Sequence, residues 1–65
     1  MKYDYQQFEE ELEILAMSGR IETWQGFGIG HYRINGELDI WPRRKKFGWF
    51  MTGEYGTYDT LGDFF

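Results

Sequence analysis

The chain has 65 residues, a formal net charge of −4 and no cysteine, and it contains 3 Trp, 5 Tyr and 6 Phe. This length excludes a second domain, the lack of cysteine excludes disulfides, and His31 alone leaves too few ligands for a structural zinc site. A domain this small buries only ~60% of the surface that its unfolded chain exposes, so we predict a single domain over residues 1–65 with a core rich in aromatic side chains.

The first predicted element is an amphipathic helix over residues 5–18. Asp4 is a typical N-cap residue, and Gly19 is suited to the left-handed conformation that ends a helix. With helical periodicity, one apolar stripe contains Tyr5, Phe8, Leu12, Leu15 and Ala16. Ile14 and Met17 lie outside this stripe, and we interpret them as singly exposed apolar residues.

After Gly19 the sequence changes to short β-branched and aromatic runs separated by glycine, which is typical of strands. The runs predict strands at residues 21–27, 29–34, 37–42 and 47–52. Pro42 is expected to end a strand at a sheet edge, where its missing N–H does no harm. The predicted fold class is therefore α+β, with one N-terminal amphipathic helix packed on a small antiparallel sheet of three to four strands.

The hairpin around Asn35-Gly36 has two possible loop lengths. A two-residue loop places acids opposite the apolar side chains of Tyr32 and Ile34. A three-residue loop over residues 34–36 instead gives the pairs Arg33 with Glu37, Tyr32 with Leu38 and His31 with Asp39. This arrangement brings opposite charges together, so we predict the longer loop.

The C-terminal tail predicts a short helical turn beginning at Thr57 or Asp59, both of which are acceptable N-caps. Leu61 and either Phe64 or Phe65 are expected to return to the core.

The segment "WPRRKKFGWF", residues 41–50, carries four of the seven cations of the chain between aromatic residues. Aromatic residues and arginine dominate binding hot spots, so we predict a binding site at Trp41, Arg43, Arg44, Lys45, Lys46, Phe47 and Trp49. The same residues suit single-stranded nucleic acid, since bases stack on aromatic rings. A sequence pI of about 4.8 counts against a general DNA-binding protein. The alternative is a solvated hairpin loop.

Other motifs give weaker indications. The acidic run at residues 9–13 is either a solvated helix face or an alternative contact surface. The glycine-rich residues 26–30 lack the following helix of a phosphate-binding loop, so we predict a turn. His31 and Asp39 are expected to form a cross-strand polar pair. We predict no catalytic residues, no bound metal and no cofactor.

Residues 31–50, together with Gly53, Gly56 and the ending "LGDFF", resemble a class of very short phage- and mobile-element-encoded proteins. That class shares an Asn-Gly hairpin followed by an LDIWP-type strand, a turn with Lys or Arg, an aromatic residue and a glycine-rich stretch. The resemblance implies an inhibitor of host defence or of a host nuclease, such as an anti-CRISPR protein, which acts by binding.

We therefore expect a small, non-enzymatic, cytoplasmic binding protein. Its expected partner is a host protein, the alternatives being single-stranded nucleic acid and a second copy of the chain. The sequence has no apolar run long enough to cross a membrane, so we expect no membrane partner.

Overall fold

The computed structural model describes residues 2–28 and 30–65. Its elements in chain order are helix α1 (Tyr5–Met17), strands β1 (Trp24–Gly26), β2 (Tyr32–Ile34), β3 (Leu38–Trp41), β4 (Lys46–Trp49) and β5 (Tyr55–Thr57), and a 3₁₀ turn (Leu61–Asp63). The strands form one antiparallel sheet in the order β1-β2-β3-β4-β5. The predicted α+β class is confirmed, but the prediction of three to four strands is wrong because the sheet has five.

Helix α1 begins and ends where its capping residues predict. The Asp4 carboxylate accepts a hydrogen bond from the Gln7 backbone N–H at 3.0 Å, and Gly19 follows the helix with a φ of +78°. Ile14 and Met17 are 64% and 85% exposed, as expected for residues outside the apolar stripe. Within the described ranges, no helix combines the length and apolar character needed to cross a bilayer.

The core lies between α1 and one face of the sheet, which we call the inner face. Alternate residues of β2 and β3 point toward the helix, so the core consists of Phe8, Leu12, Ile21, Tyr32, Ile34, Leu38, Ile40, Tyr58 and Leu61. The Tyr32 hydroxyl donates to the Glu9 carboxylate at 2.6 Å, which joins the sheet to the helix. Burial of this hydroxyl and its hydrogen bond to Glu9 raise the pKa of Tyr32 well above its ordinary value.

The β2–β3 hairpin has the predicted loop length but a different position. Its loop is residues 35–37, and the paired residues are Tyr32 with Ile40, Arg33 with Asp39, and Ile34 with Leu38. The predicted Arg33–Glu37 pairing is therefore wrong. The observed register buries two apolar pairs on the inner face and still gives Arg33 an acidic partner. Asn35 holds this loop in place, since its side-chain oxygen accepts from the backbone N–H groups of Glu22 and Thr23 at 2.7 and 3.2 Å.

The predicted turn at residues 26–30 is confirmed in part: Gly26 is the last residue of β1, and the turn follows it. Gly28 and Gly30 have φ angles of +87° and +66°, and the Phe27 N–H donates to the His31 carbonyl at 2.9 Å. Ile29, which the sequence assigned to a strand, lies outside the described residues.

Strand β5 was not expected, and it pairs with β4, so that β3 is the middle strand of the five. Pro42 does follow the last residue of a strand, but β3 lies at the centre of the sheet and not at its edge.

After β5, the 3₁₀ turn begins at Leu61, later than the predicted start. The Asp63 carboxylate accepts from the backbone N–H groups of Asp59 and Thr60 at 3.1 and 3.2 Å, which fixes the turn. Leu61 is 2% exposed and enters the core as predicted.

The burial pattern predicts how stability responds to the loss of one methylene group. Ile34 is fully buried, so Ile34→Val should lower the free energy of unfolding by ~0.5–1.5 kcal/mol. The same substitution at the exposed Ile14 should change it by less than about 0.5 kcal/mol. Urea unfolding followed by tryptophan fluorescence measures both values. Equal losses at the two positions would contradict the assigned core.

Candidate functional site

The face of the sheet opposite α1, which we call the outer face, is open. Both helical elements contribute buried residues to the inner core, so neither covers this face in the described part of the chain. By strand alternation, the outer face carries Gln25, Phe27, His31, Arg33, Asp39, Trp41, Lys46, Gly48, Phe50, Tyr55 and Thr57. Phe27, Phe50 and Tyr55 are 47%, 63% and 83% exposed. Large aromatic rings are thus presented to solvent on one side of the molecule.

Asp39 organises the centre of this face. Its carboxylate accepts from the Arg33 guanidinium at 2.8 and 3.3 Å and from the His31 Nε2 at 3.0 Å, and its side chain is only 13% exposed. Partial burial opposes ionisation of Asp39, but the hydrogen bonds from Arg33 and His31 outweigh it and hold the pKa of Asp39 below its ordinary value. The predicted polar contact between His31 and Asp39 is confirmed, although the two residues are diagonal neighbours and not a direct cross-strand pair.

Aromatic rings pack around the two side chains that Asp39 holds. The Arg33 guanidinium carbon lies 5.3 Å from the centre of the Phe27 ring and 5.0 Å from that of Phe50. The His31 ring stacks on Trp41 with centroids 4.6 Å apart and an interplanar angle of 5°. We call Phe27, His31, Arg33, Trp41 and Phe50 the aromatic array. The array is a connected set of side chains on the outer face, and the Asp39 carboxylate holds Arg33 and His31 in position.

The pleat of the sheet divides the predicted binding residues between its two faces. Trp41 and Lys46 lie on the outer face, while Phe47 and Trp49 are half-buried on the inner face. There both rings pack on Phe64, with centroids 5.0 and 6.1 Å away. A continuous run of sequence therefore does not form a continuous surface.

The cations of the β3–β4 turn also divide. Lys45 is held by its own chain, since its Nζ donates to the Asp59 carbonyl at 3.0 Å and lies 5.6 Å from the centre of the Tyr58 ring. Arg43, Arg44 and Lys46 are exposed, and none of them forms an ion pair with another described residue. Three of the four predicted cations thus remain free to meet a ligand.

A cleft opens where this turn meets β5. It has a volume of about 270 Å³ and is lined by Trp41, Arg44, Lys46, Phe47, Tyr55 and Gly56. Gly48 lies between two of its walls, because a Cβ atom added there would lie 3.8 Å from both the Trp41 ring and the Tyr55 Cβ. We call this feature the Trp41–Tyr55 cleft. A larger depression of about 450 Å³ beside the start of α1 is lined by charges of both signs and lies away from the exposed rings.

Reasoning from the sequence missed Phe27, Arg33, Phe50 and Tyr55 as surface residues of the candidate site. These residues come from separate segments that only the sheet brings together. Alternation was the available signal for Arg33, because it lies between Tyr32 and Ile34 of the core. It gives no signal for Phe27, Phe50 and Tyr55, which lie on other segments of the chain.

Comparisons of the chain with protein-family models, with curated proteins and with solved structures find no match. The geometry of the outer face is therefore the basis for assigning a function.

The Asp39 interactions predict a specific acid response. Because the folded-state pKa of Asp39 is lowered, the stability that it contributes is fully present above its unfolded pKa of ~3.9 and is lost as the pH falls through the folded value. The unfolding free energy of the wild type should therefore fall more steeply below about pH 4 than that of Asp39→Asn. Arg33→Gln should also flatten this acid limb, because it removes a hydrogen-bond donor to Asp39. Parallel curves for wild type and Asp39→Asn, measured by urea unfolding at each pH, would contradict this account.

Proposed function

We propose that this protein is a small, non-enzymatic binding protein and that a partner protein docks on the aromatic array. The observation that carries the proposal is the exposure of Phe27 and Phe50 on either side of Arg33, on a sheet face that α1 does not cover. Exposed aromatic clusters of this kind mark interaction sites, and aromatic residues with arginine dominate binding hot spots.

The charge at the centre of the array supports a protein partner. Arg33 is paired with Asp39 within the chain, so the middle of the surface presents rings around an ion pair that is already neutralised. The centres of protein interfaces are depleted of charged residues and enriched in aromatic residues and arginine. A partner surface can cover this region without leaving an unpaired charge buried.

The array is also held in its conformation before binding. Asp39 orients Arg33 and His31, and His31 in turn supports the Trp41 ring. Side chains that are already ordered lose little conformational entropy on association, which favours affinity.

The rim suggests the electrostatic character of the partner. Arg44 is exposed at one end of the outer face, Arg43 lines the depression beside the start of α1, and neither forms an ion pair with another described residue. Carboxylates at the matching position on a partner would speed association more than they would tighten the complex. A host protein with acidic residues around its binding site fits this description. The chain would then bind that protein in the manner of a phage-type inhibitor.

Removal of the exposed rings tests the proposal. Phe27→Ser with Phe50→Ser should abolish specific retention of a partner when the immobilised protein is exposed to a lysate of the host. Ile14→Ser with Met17→Ser is the matched control, because it removes two exposed apolar residues from α1 on the opposite side of the molecule. This control should retain the same partner as the wild type.

Loss of the partner from the helix variant, or its retention by the array variant, would contradict the proposed surface. Light scattering of the wild type at micromolar concentration tests the homodimer alternative. We expect the mass of a monomer; a dimer that dissociates in the array variant would show that the rings bind a second copy of the chain instead.

A further inference from the structure

The Trp41–Tyr55 cleft combines features that the aromatic array does not have. His31, on the β2 side, stacks on the indole of Trp41, while the cleft lies on the other side toward β5. Tyr55 forms the opposite wall and is 83% exposed. Gly48 lies between the two rings and carries no side chain to fill the space. The result is a slot with aromatic walls, open to solvent.

The charge of the cleft is uncompensated. Among the residues that line it are Arg44 and Lys46, and none of the lining residues is acidic. Neither cation forms an ion pair within the described part of the chain. This differs from the centre of the array, where Asp39 neutralises Arg33. The cleft therefore suits a ligand with both a flat ring and an anionic group.

We propose that the Trp41–Tyr55 cleft binds one nucleotide of a single-stranded nucleic acid. The base lies in the slot and stacks on the Trp41 and Tyr55 rings, and the phosphate pairs with Arg44 and Lys46. A nucleotide supplies a flat ring and an anion in one unit, and stacking requires no particular base. The volume of about 270 Å³ lies just below the ~300–1,000 Å³ of pockets for drug-sized ligands, which matches a single nucleotide and not a run of bases.

The net charge of −4 describes the whole chain and not the cleft, whose lining includes two cations and no acidic residue. None of the carboxylates in the acidic run of α1 lines the cleft, and Glu11 instead lines depressions beside α1 that it shares with Arg43 and with Lys45. A phosphate at the cleft thus interacts mainly with the nearby cations.

The site goes beyond the proposed function, and the two are separable. Phe27 and Phe50 belong to the array alone, whereas Tyr55, Lys46 and Gly48 belong to the cleft alone. Substitutions in one region therefore test one proposal without altering the residues specific to the other.

Fluorescence anisotropy of a labelled ten-nucleotide oligothymidylate, titrated with the full chain, tests the cleft. We expect binding at low salt with a slope of log K against log salt of about −0.7, since the one phosphate neutralised on a single strand contributes about −0.7. Arg44→Gln with Lys46→Gln should weaken binding at least tenfold and flatten this slope. Lys2→Gln with Arg20→Gln is the control of equal charge change away from the cleft and should bind as the wild type does.

Two further variants address shape and not charge. Gly48→Val should place a side chain in the space between the rings, where the added Cβ makes only ordinary contacts, and should weaken binding while the protein stays folded. Tyr55→Ser should weaken binding about 5- to 150-fold, as expected for the loss of a stacking ring. A matched oligouridylate shows whether RNA or DNA is preferred, and either preference supports the site.

Several results would overturn the proposal. They are the absence of binding at low salt, equal weakening by the Lys2 and Arg20 control, or equal affinity for a duplex of the same length. Unchanged oligonucleotide binding by Gly48→Val would also exclude the cleft. If oligonucleotides do not bind but the Arg44 and Lys46 variant loses the partner protein, the cleft belongs to the protein interface.

Discussion

A single helix of 13 residues can cover only one face of the sheet, and this constraint determines the rest of the molecule. The inner face pairs with α1 to form the core, while the outer face must exist in contact with water. An ion pair fully exposed to water would add little to the stability of the fold, because exposed salt bridges contribute weakly to the free energy of unfolding. Asp39 is instead only 13% exposed and is shared by Arg33 and His31, whose own side chains are covered in part by Phe27, Phe50 and Trp41. The outer face thus has an ordered polar centre surrounded by rings, and the exposed sides of those rings are the surface available for binding.

The inner face shows how so short a chain forms a core. Leu12, Ile34 and Ile40 are completely buried, and larger rings extend the core toward its margins. Tyr32 packs on Phe8 with ring centroids 5.0 Å apart while its hydroxyl reaches Glu9, so one side chain supplies both apolar contact and a hydrogen bond to the helix. At the other end of the sheet, Phe64 packs against Phe47 and Trp49. These aromatic contacts use rings that the sequence had assigned to ligand binding, because a core of this size needs them.

The helix, its caps and the inner face could be predicted from the sequence because each depends on local patterns: Asp4 and Gly19 as end signals, and apolar residues at helical or alternating spacing. The hairpin register could not be predicted, because loops over residues 34–36 and 35–37 place the same side chains on the inner face. The choice between them depends on the hydrogen bonds that Asn35 accepts from the backbone of Glu22 and Thr23. Strand β5 contains only Tyr55, Gly56 and Thr57, too few residues for a periodic signal, and it is defined by pairing with β4. For the candidate site, the sequence indicated the cationic turn but not the residues that lie beside it in space. Residues adjacent in sequence point to opposite faces of a strand, whereas the residues beside Trp41 in space come from other strands.

The two ends of the outer face differ in charge balance, because acidic partners are present within the strands but not beside Arg44 and Lys46 at the β3–β4 turn. Within the strands, the cation Arg33 lies across from Asp39, so charge is matched inside the chain. The β3–β4 turn has no acidic strand beside Arg44 and Lys46, and the adjoining β5 contributes Tyr55 in place of a carboxylate. One continuous surface therefore contains a neutral aromatic region suited to a protein and a cationic cleft suited to an anion. The overall pI describes neither region, because it averages the charges of the whole chain. In a two-layer protein, partner chemistry is better inferred from the charge balance of each face than from the charge of the chain.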